Sequence, residues 1–205
     1  MNWLPRQNGS AWYRQKVREM TVTKRLRETS RKYPASPALY SKNSGGEFKI
    51  ATHEQFYSEV EAAGTGFLEA GVKRGDHVGI ISDNRREWII SDLALMGIGA
   101  ADVPRGSDST ALEISFILNH ADCRIVIAEN SEQAVKILDY RDNLPLLEKI
   151  ILFDASGEKI TAEKKGAVEI LSFSDITAAG RKRIASDKDL FSNELEKGGP
   201  DDLAT

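Results

Sequence analysis

The stretch GVKRGDHVGIISDNRREWIISDLALMGIGAADVP, residues 71–104, decides the fold. HVGII at 77–81 is a short apolar, β-branched run entered through Gly75 and Asp76, which predicts a buried strand. Ser82, Asp83 and Asn84 supply helix-capping side chains, and Asn84 with Glu87 has the spacing of a capping box. The next helix carries Trp88, Ile89, Ile90, Leu93, Leu95, Met96 and Ile98 around most of its circumference. A helix that is apolar nearly all round belongs inside a protein. A second strand leads to Val103 and Pro104, so the stretch predicts a parallel β-α-β unit with a right-handed crossover.

The same alternation continues downstream. Thr110 and Glu113 form a capping box for a helix whose Ile114, Ile117 and Leu118 face inward. Residues 124–128 (RIVIA) predict a third strand, Ser131 opens a third helix, and 149–153 (KIILF) predict a fourth strand. One more strand is expected at 168–173 and a short helix at 174–184. Upstream, 37–40 and 48–51 read as a hairpin across Asn43, Ser44, Gly45 and Gly46. Thr52 and Gln55 then cap a helix with Phe56, Val60, Ala63 and Phe67 on one face, closed by Gly71. The predicted fold is α/β: a doubly wound, mostly parallel sheet flanked by helices. Three regions are expected: a basic helical lead-in at 1–36, the α/β core at 37–153, and a polar extension at 154–205.

Composition narrows the function classes. With 40% hydrophobic and 29% charged residues over 205 positions, the chain is an ordinary globular domain. A net charge of −3 gives no electrostatic case for nucleic acid. The single cysteine, Cys123, excludes an intrachain disulfide, and its apolar strand makes it a buried structural thiol. Residues 1–37 hold nine Lys/Arg against two Glu, and Val17, Met20, Val22 and Leu26 mark one modest apolar face. That segment reads as a solvated helix on the domain, or as a basic face that touches anionic lipid. The expected location is cytoplasmic; only the second of these readings adds peripheral membrane contact through this lead-in.

Several motif-like strings fail on inspection. Gly97-x-Gly99-x-x-Asp102 lacks its third glycine and follows a helix, the reverse of a dinucleotide fingerprint. Arg74-Gly75-Asp76 is a helix-to-strand turn. His53, His77 and His120 have no companion cysteines at metal spacing. No Gly-Lys-Ser/Thr phosphate loop and no Gly-x-Ser-x-Gly elbow occurs. In parallel sheets ligands bind beyond the carboxyl ends of strands, which leaves two loops: Ser82-Asp83-Asn84 and residues 104–109. In the second, Arg105, Gly106 and Ser107 offer a cation, backbone N–H groups and a hydroxyl to an anion. The alternative is a loop that only caps its own helix.

These residues also carry a resemblance. Residues 71–80, Ser82-Asp83-Asn84, Glu87-Trp88, 96–100 and Val103-Pro104, followed by TALEISFILNHADC at 110–123, resemble the N-terminal part of AMP-forming acyl-CoA synthetases. Asp83-Asn84, Glu87-Trp88 and Pro104-Arg105-Gly106-Ser107-Asp108 look most like the long-chain fatty acid branch. The resemblance covers roughly residues 20 to 205. It implies the N-terminal subdomain of the adenylate-forming synthetase fold, cut short: in the family, a segment like PDDLAT at 200–205 runs into a Ser/Thr/Gly-rich phosphate loop. ATP, Mg2+ and CoA, with fatty acid as substrate, are implied for a whole enzyme, and none is expected to bind tightly to these residues alone. The resemblance implies no catalytic or metal-binding residue here; Arg105, Gly106 and Ser107 are placed near CoA, although short-chain relatives have glycines and an aromatic there. Residues 1–205 alone are expected to be inactive. Two other classes stay open: a non-catalytic α/β binding module, and a fragment of an aryl-CoA ligase or amino-acid adenylation enzyme.

Overall fold

The computed structural model describes residues 20–42, 45–157 and 159–205. Helix α1 (Val22–Lys32) comes first, followed by an antiparallel hairpin of β1 (Pro37–Lys42) and β2 (Phe48–Thr52). Helix α2 (His53–Glu69) then leads into β3 (His77–Ile81), α3 (Arg86–Ile98), β4 (Ala101–Arg105), α4 (Ala111–His120) and β5 (Ile125–Ala128). The chain continues through α5 (Ser131–Leu138), β6 (Lys149–Leu152), α6 (Ala162–Lys165), β7 (Glu169–Ser172), α7 (Phe173–Ser186) and α8 (Leu190–Glu196). Strands β4-β3-β5-β6-β7 form, in that order, one sheet in which every neighbouring pair is parallel.

Alternation along these strands divides the core between two faces. Val78, Ile80, Ile125, Ile127 and Ile151 pack with α2, α3, α7 and α8 on one side. Ile81, Val126, Ala128, Ile150 and Leu152 pack with α4 and α5 on the other. Because side chains alternate with period two and both faces are covered, each central strand reads as a continuous apolar run.

Local signals account for most element ends. The capping boxes at Thr52/Gln55 and Thr110/Glu113 both form. Gly71 takes φ +97 after α2, and Gly99 ends α3 at φ +76, the left-handed region glycine enters freely. The Asn84/Glu87 box does not form. Helix α3 begins one residue later with Arg85 as its N-cap, and no side chain caps it. The Glu87 carboxylate instead accepts from Arg85 Nε at 2.7 Å. The hairpin forms as expected, with Tyr40 opposite Ile50; turn residues Asn43 and Ser44 lie outside the described residues.

Helix α1 is rotated from the face its apolar residues suggest, while Val17 lies outside the described residues. Thr23, Arg27 and Ser30 are buried, whereas Val22 is 59% exposed. Thr23 Oγ1 donates to Leu93 C=O at 2.8 Å, and Arg27 donates to Ser192 Oγ at 3.2 Å and to Glu196 at 2.5 Å. Hydrogen bonds to α3 and α8, not its apolar residues alone, set the orientation of this helix. Helix α7 packs most extensively on α2, where Gly180 meets Ala62 and Gly66 backbone to backbone.

A Cβ at Gly180 would lie 1.9 Å from Ala62 C=O and 2.8 Å from Gly66 N, and neither backbone atom can swing aside. Gly180→Ala is expected to lower stability by about 1–3 kcal/mol through overpacking. Gly199→Ala, whose new Cβ meets nothing within 4 Å, is expected to stay within about 0.5 kcal/mol. Urea unfolding of the two variants checks the contrast.

Candidate functional site

Strand β3 is the first strand of this sheet along the chain but second in its spatial order, with β4 on one side and β5 on the other. The connections therefore diverge to opposite sides of β3, and their loops part beyond the carboxyl ends of β3 and β5. Three loops meet there. Ser82 and Asp83 follow β3, residues 106–109 follow β4, and Glu129 with Asn130 follows β5.

One hydrogen-bond chain ties these loops together. The Glu129 carboxylate accepts from the Asp83 backbone N–H at 2.8 Å and from Ser82 Oγ at 3.3 Å. Asp83 Oδ1 accepts from Ser107 Oγ at 2.6 Å and from the Ser107 backbone N–H at 3.3 Å. Lys136, from α5, donates to Ser107 C=O at 3.0 Å. The Ser107 hydroxyl and backbone N–H hold the Asp83 carboxyl below the usual carboxylate range.

The expected site residues fall as follows. Arg105 ends β4 in register with Ile81, its side chain exposed, and it forms no ion pair among the described residues. Its charge adds to the lowering of the Glu113 carboxyl, which is set first by hydrogen bonds from Thr110. Gly106 is tight: a Cβ there would lie 2.6 Å from Asp108 Oδ1. Ser107 has both its donors on Asp83. The loop therefore carries one exposed cation, Arg105, while both Ser107 donors are taken by Asp83. Glu129 and Lys136 belong to the same cluster and were not singled out from sequence. The rule that ligand crevices open where strand order reverses would have paired the ends of β3 and β5, and hence Asp83 with Glu129.

Beside this cluster, beyond β5 and β6, lies an open cavity of about 710 Å3 whose lining includes Asn130, Ser131, Asp154, Gly157, Lys159 and Thr161. Its lining is mixed in polarity. Among the described residues no group of three or more His, Cys, Asp or Glu is placed to hold a metal. The histidines are dispersed over α2, β3 and α4, and His77 Nδ1 lies 2.9 Å from Ala121 C=O. Cys123 is buried, which pushes its thiol up to about 12, so it is no nucleophile at neutral pH. No described helix is long and apolar enough to cross a membrane.

Comparison with known proteins gives this geometry a family. The AMP-binding enzyme model matches residues 26–205. The chain belongs to the AMP-binding enzyme family. It is 31% identical to the long-chain-fatty-acid–CoA ligase ACSBG2 of Xenopus laevis over 134 residues, covering 65% of this chain and 18% of that protein. It is 28% identical to the long-chain-fatty-acid–CoA ligase FadD15 of Mycobacterium tuberculosis over 119 residues, covering 58% of this chain and 20% of that one. The chain thus spans about a fifth of the length of these curated relatives. Among solved structures, the anthranilate CoA ligase AuaEII in complex with anthranoyl-AMP superposes with a TM-score of 0.65 at 23% identity, covering 78% of this chain and 28% of that one. The A-PCP didomain of carboxylic acid reductase from Segniliparus rugosus, in complex with AMP, gives 0.64 at 18% identity, covering 78% and 26%. At these identities the structures show a shared fold, that of adenylate-forming enzyme domains.

The most perturbed carboxylate in this family fold lies away from the loop cluster. Burial, aided by the charge of Asp102, pushes Asp92 on α3 up to about 6. An acid whose folded pKa is raised keeps its proton at pH values where the unfolded chain has already released it. The stability that this proton contributes is complete below about pH 4 and is lost as pH rises through about 6. Asp92→Asn is therefore expected to stabilise the protein by about 1 kcal/mol at pH 7, after discounting for its partial exposure, and to change little at pH 4. Urea unfolding at the two pH values reads the difference.

Proposed function

We propose that this chain is the N-terminal α/β portion of an ATP-dependent, AMP-forming long-chain fatty acid–CoA ligase. The observation that carries the proposal is the family match over residues 26–205, together with long-chain ligases as its relatives. In the reaction proposed for the whole enzyme, a fatty acid carboxylate attacks the α-phosphorus of ATP and pyrophosphate leaves. The CoA thiol then attacks the acyl-adenylate carbonyl and AMP leaves. Mg2+ would neutralise phosphate charge in the first step. In this reading the part of residues 26–205 is to build the sheet and to carry the β4 loop.

The residues proposed to lie near CoA are Arg105, Gly106 and Ser107. Arg105 suits that place, because its exposed guanidinium forms no ion pair among the described residues and can meet a phosphate. Against the reading of a non-catalytic module, the family match and the long-chain relatives favour a ligase portion.

Two measurements test this reading. Fatty-acid-dependent ATP–pyrophosphate exchange should be absent from residues 1–205 alone; exchange above background would show that the chain is catalytic by itself. For the loop, amide shifts at residues 105–109 are expected on titration with millimolar CoA. Arg105→Ala should weaken that binding about fivefold or more, as loss of one charge-assisted contact requires. Unshifted amides at 105–109 would remove the loop from the CoA site.

A further inference from the structure

The β4 loop is met by an anion from the neighbouring loop after β3. Two donors that suit a phosphate oxygen, the Ser107 backbone N–H and hydroxyl, both point at one oxygen of Asp83, at 3.3 and 2.6 Å. Asp83 is held there from behind, because Glu129 accepts its backbone N–H and the neighbouring Ser82 hydroxyl. Lys136 fixes the far side of Ser107 through its carbonyl. Asp108 stands against Gly106. In this arrangement the loop presents carboxylates at the positions where an anionic ligand would need donors, and like charges at contact distance exclude one another.

We propose that Asp83 is an internal stand-in for the ligand's anion: it occupies the Ser107 donors and keeps the Arg105–Ser107 loop closed until an entering phosphate group displaces it. This inference rests on the reading of that loop as an anion-binding, CoA-proximal element. The exchange is balanced in hydrogen bonds, since Ser107 gives up one negatively charged acceptor and gains another. It is favourable only for a ligand with charge enough to reach Arg105 as well. A neutral ligand, or the thiol end of CoA alone, lacks the oxygen that replaces the Asp83 carboxylate.

The test uses residues 1–205 with inorganic pyrophosphate and CoA as separate probes, read by amide shifts at 105–109 and by hydrogen exchange at Ser107. Asp83→Ala is expected to speed exchange at the Ser107 amide and to tighten pyrophosphate binding about tenfold or more, the worth of one charge-assisted hydrogen bond. Asp83→Asn, which keeps an acceptor but loses the charge, should fall between Asp83→Ala and the natural protein. Unchanged exchange at Ser107, or pyrophosphate affinity in Asp83→Ala no higher than in the natural protein, overturns the proposal. Should Asp83→Ala fail to fold, Ser107→Ala removes the hydroxyl half of the contact from the other side and leaves the backbone N–H. Asp83 should then titrate closer to its ordinary value by NMR, and an unshifted titration overturns the proposal equally. The two readings separate cleanly. Pyrophosphate without CoA binding at 105–109 of Asp83→Ala sinks the CoA assignment and leaves the latch, whereas equal CoA binding by both proteins sinks the latch alone.

Discussion

The structure depends on burying both faces of a short parallel sheet. Past their first residues the central strands carry no polar side chain, because Val78 and Ile80 face one layer of helices while Ile81 faces the other. This constraint makes 77–81 and 125–128 continuous apolar runs. It also forces the covering helices to be apolar where they touch. Polar groups are thereby displaced to the strand ends, so the chemistry that the domain can offer collects in loops along one edge.

That geometry explains which parts were readable from sequence. The β-α-β alternation, the strands expected at 77–81, 124–128 and 149–153, and two capping boxes rest on local periodicity and local spacing; they stand in the structure, the last two strands one residue shorter. The Asn84/Glu87 box has the same spacing but does not form, because Arg85 takes the Glu87 carboxylate. Spacing alone cannot show such competition. The orientation of α1 was also hidden, since its determinants are hydrogen bonds to Leu93, Ser192 and Glu196, far away in sequence. Its buried face is polar, and hydrophobic patterning gives no weight to polar faces.

The loop cluster was half legible. Both strand-end loops could be named, because turn residues after an apolar run mark a strand end. Their contact could not, because whether Ser107 donates to Asp83 or to an outside anion depends on the tertiary distance between two loops 24 positions apart in the chain. Glu129 and Lys136 enter only through strand order and helix position. Family resemblance pointed to the loop at 105–107 but not to the Asp83 carboxylate lying across it.

The close crossing of α2 and α7 carries a further consequence for how this sequence can vary. Where two helices touch main chain to main chain, the pairing has no side chain to repack, so a change on either helix cannot be absorbed by a complementary one. Gly66 faces Ile176 C=O as closely as Gly180 faces Ala62 C=O, which makes the seam reciprocal. At this crossing α7 is joined to α2 by shape, whereas α8 is joined to α1 by the hydrogen bonds of Arg27 to Ser192 and Glu196. Sequences recombined between related proteins should tolerate crossovers within loops on either side of the sheet. A crossover that separates 62–66 from 176–180 must import both halves of the seam together.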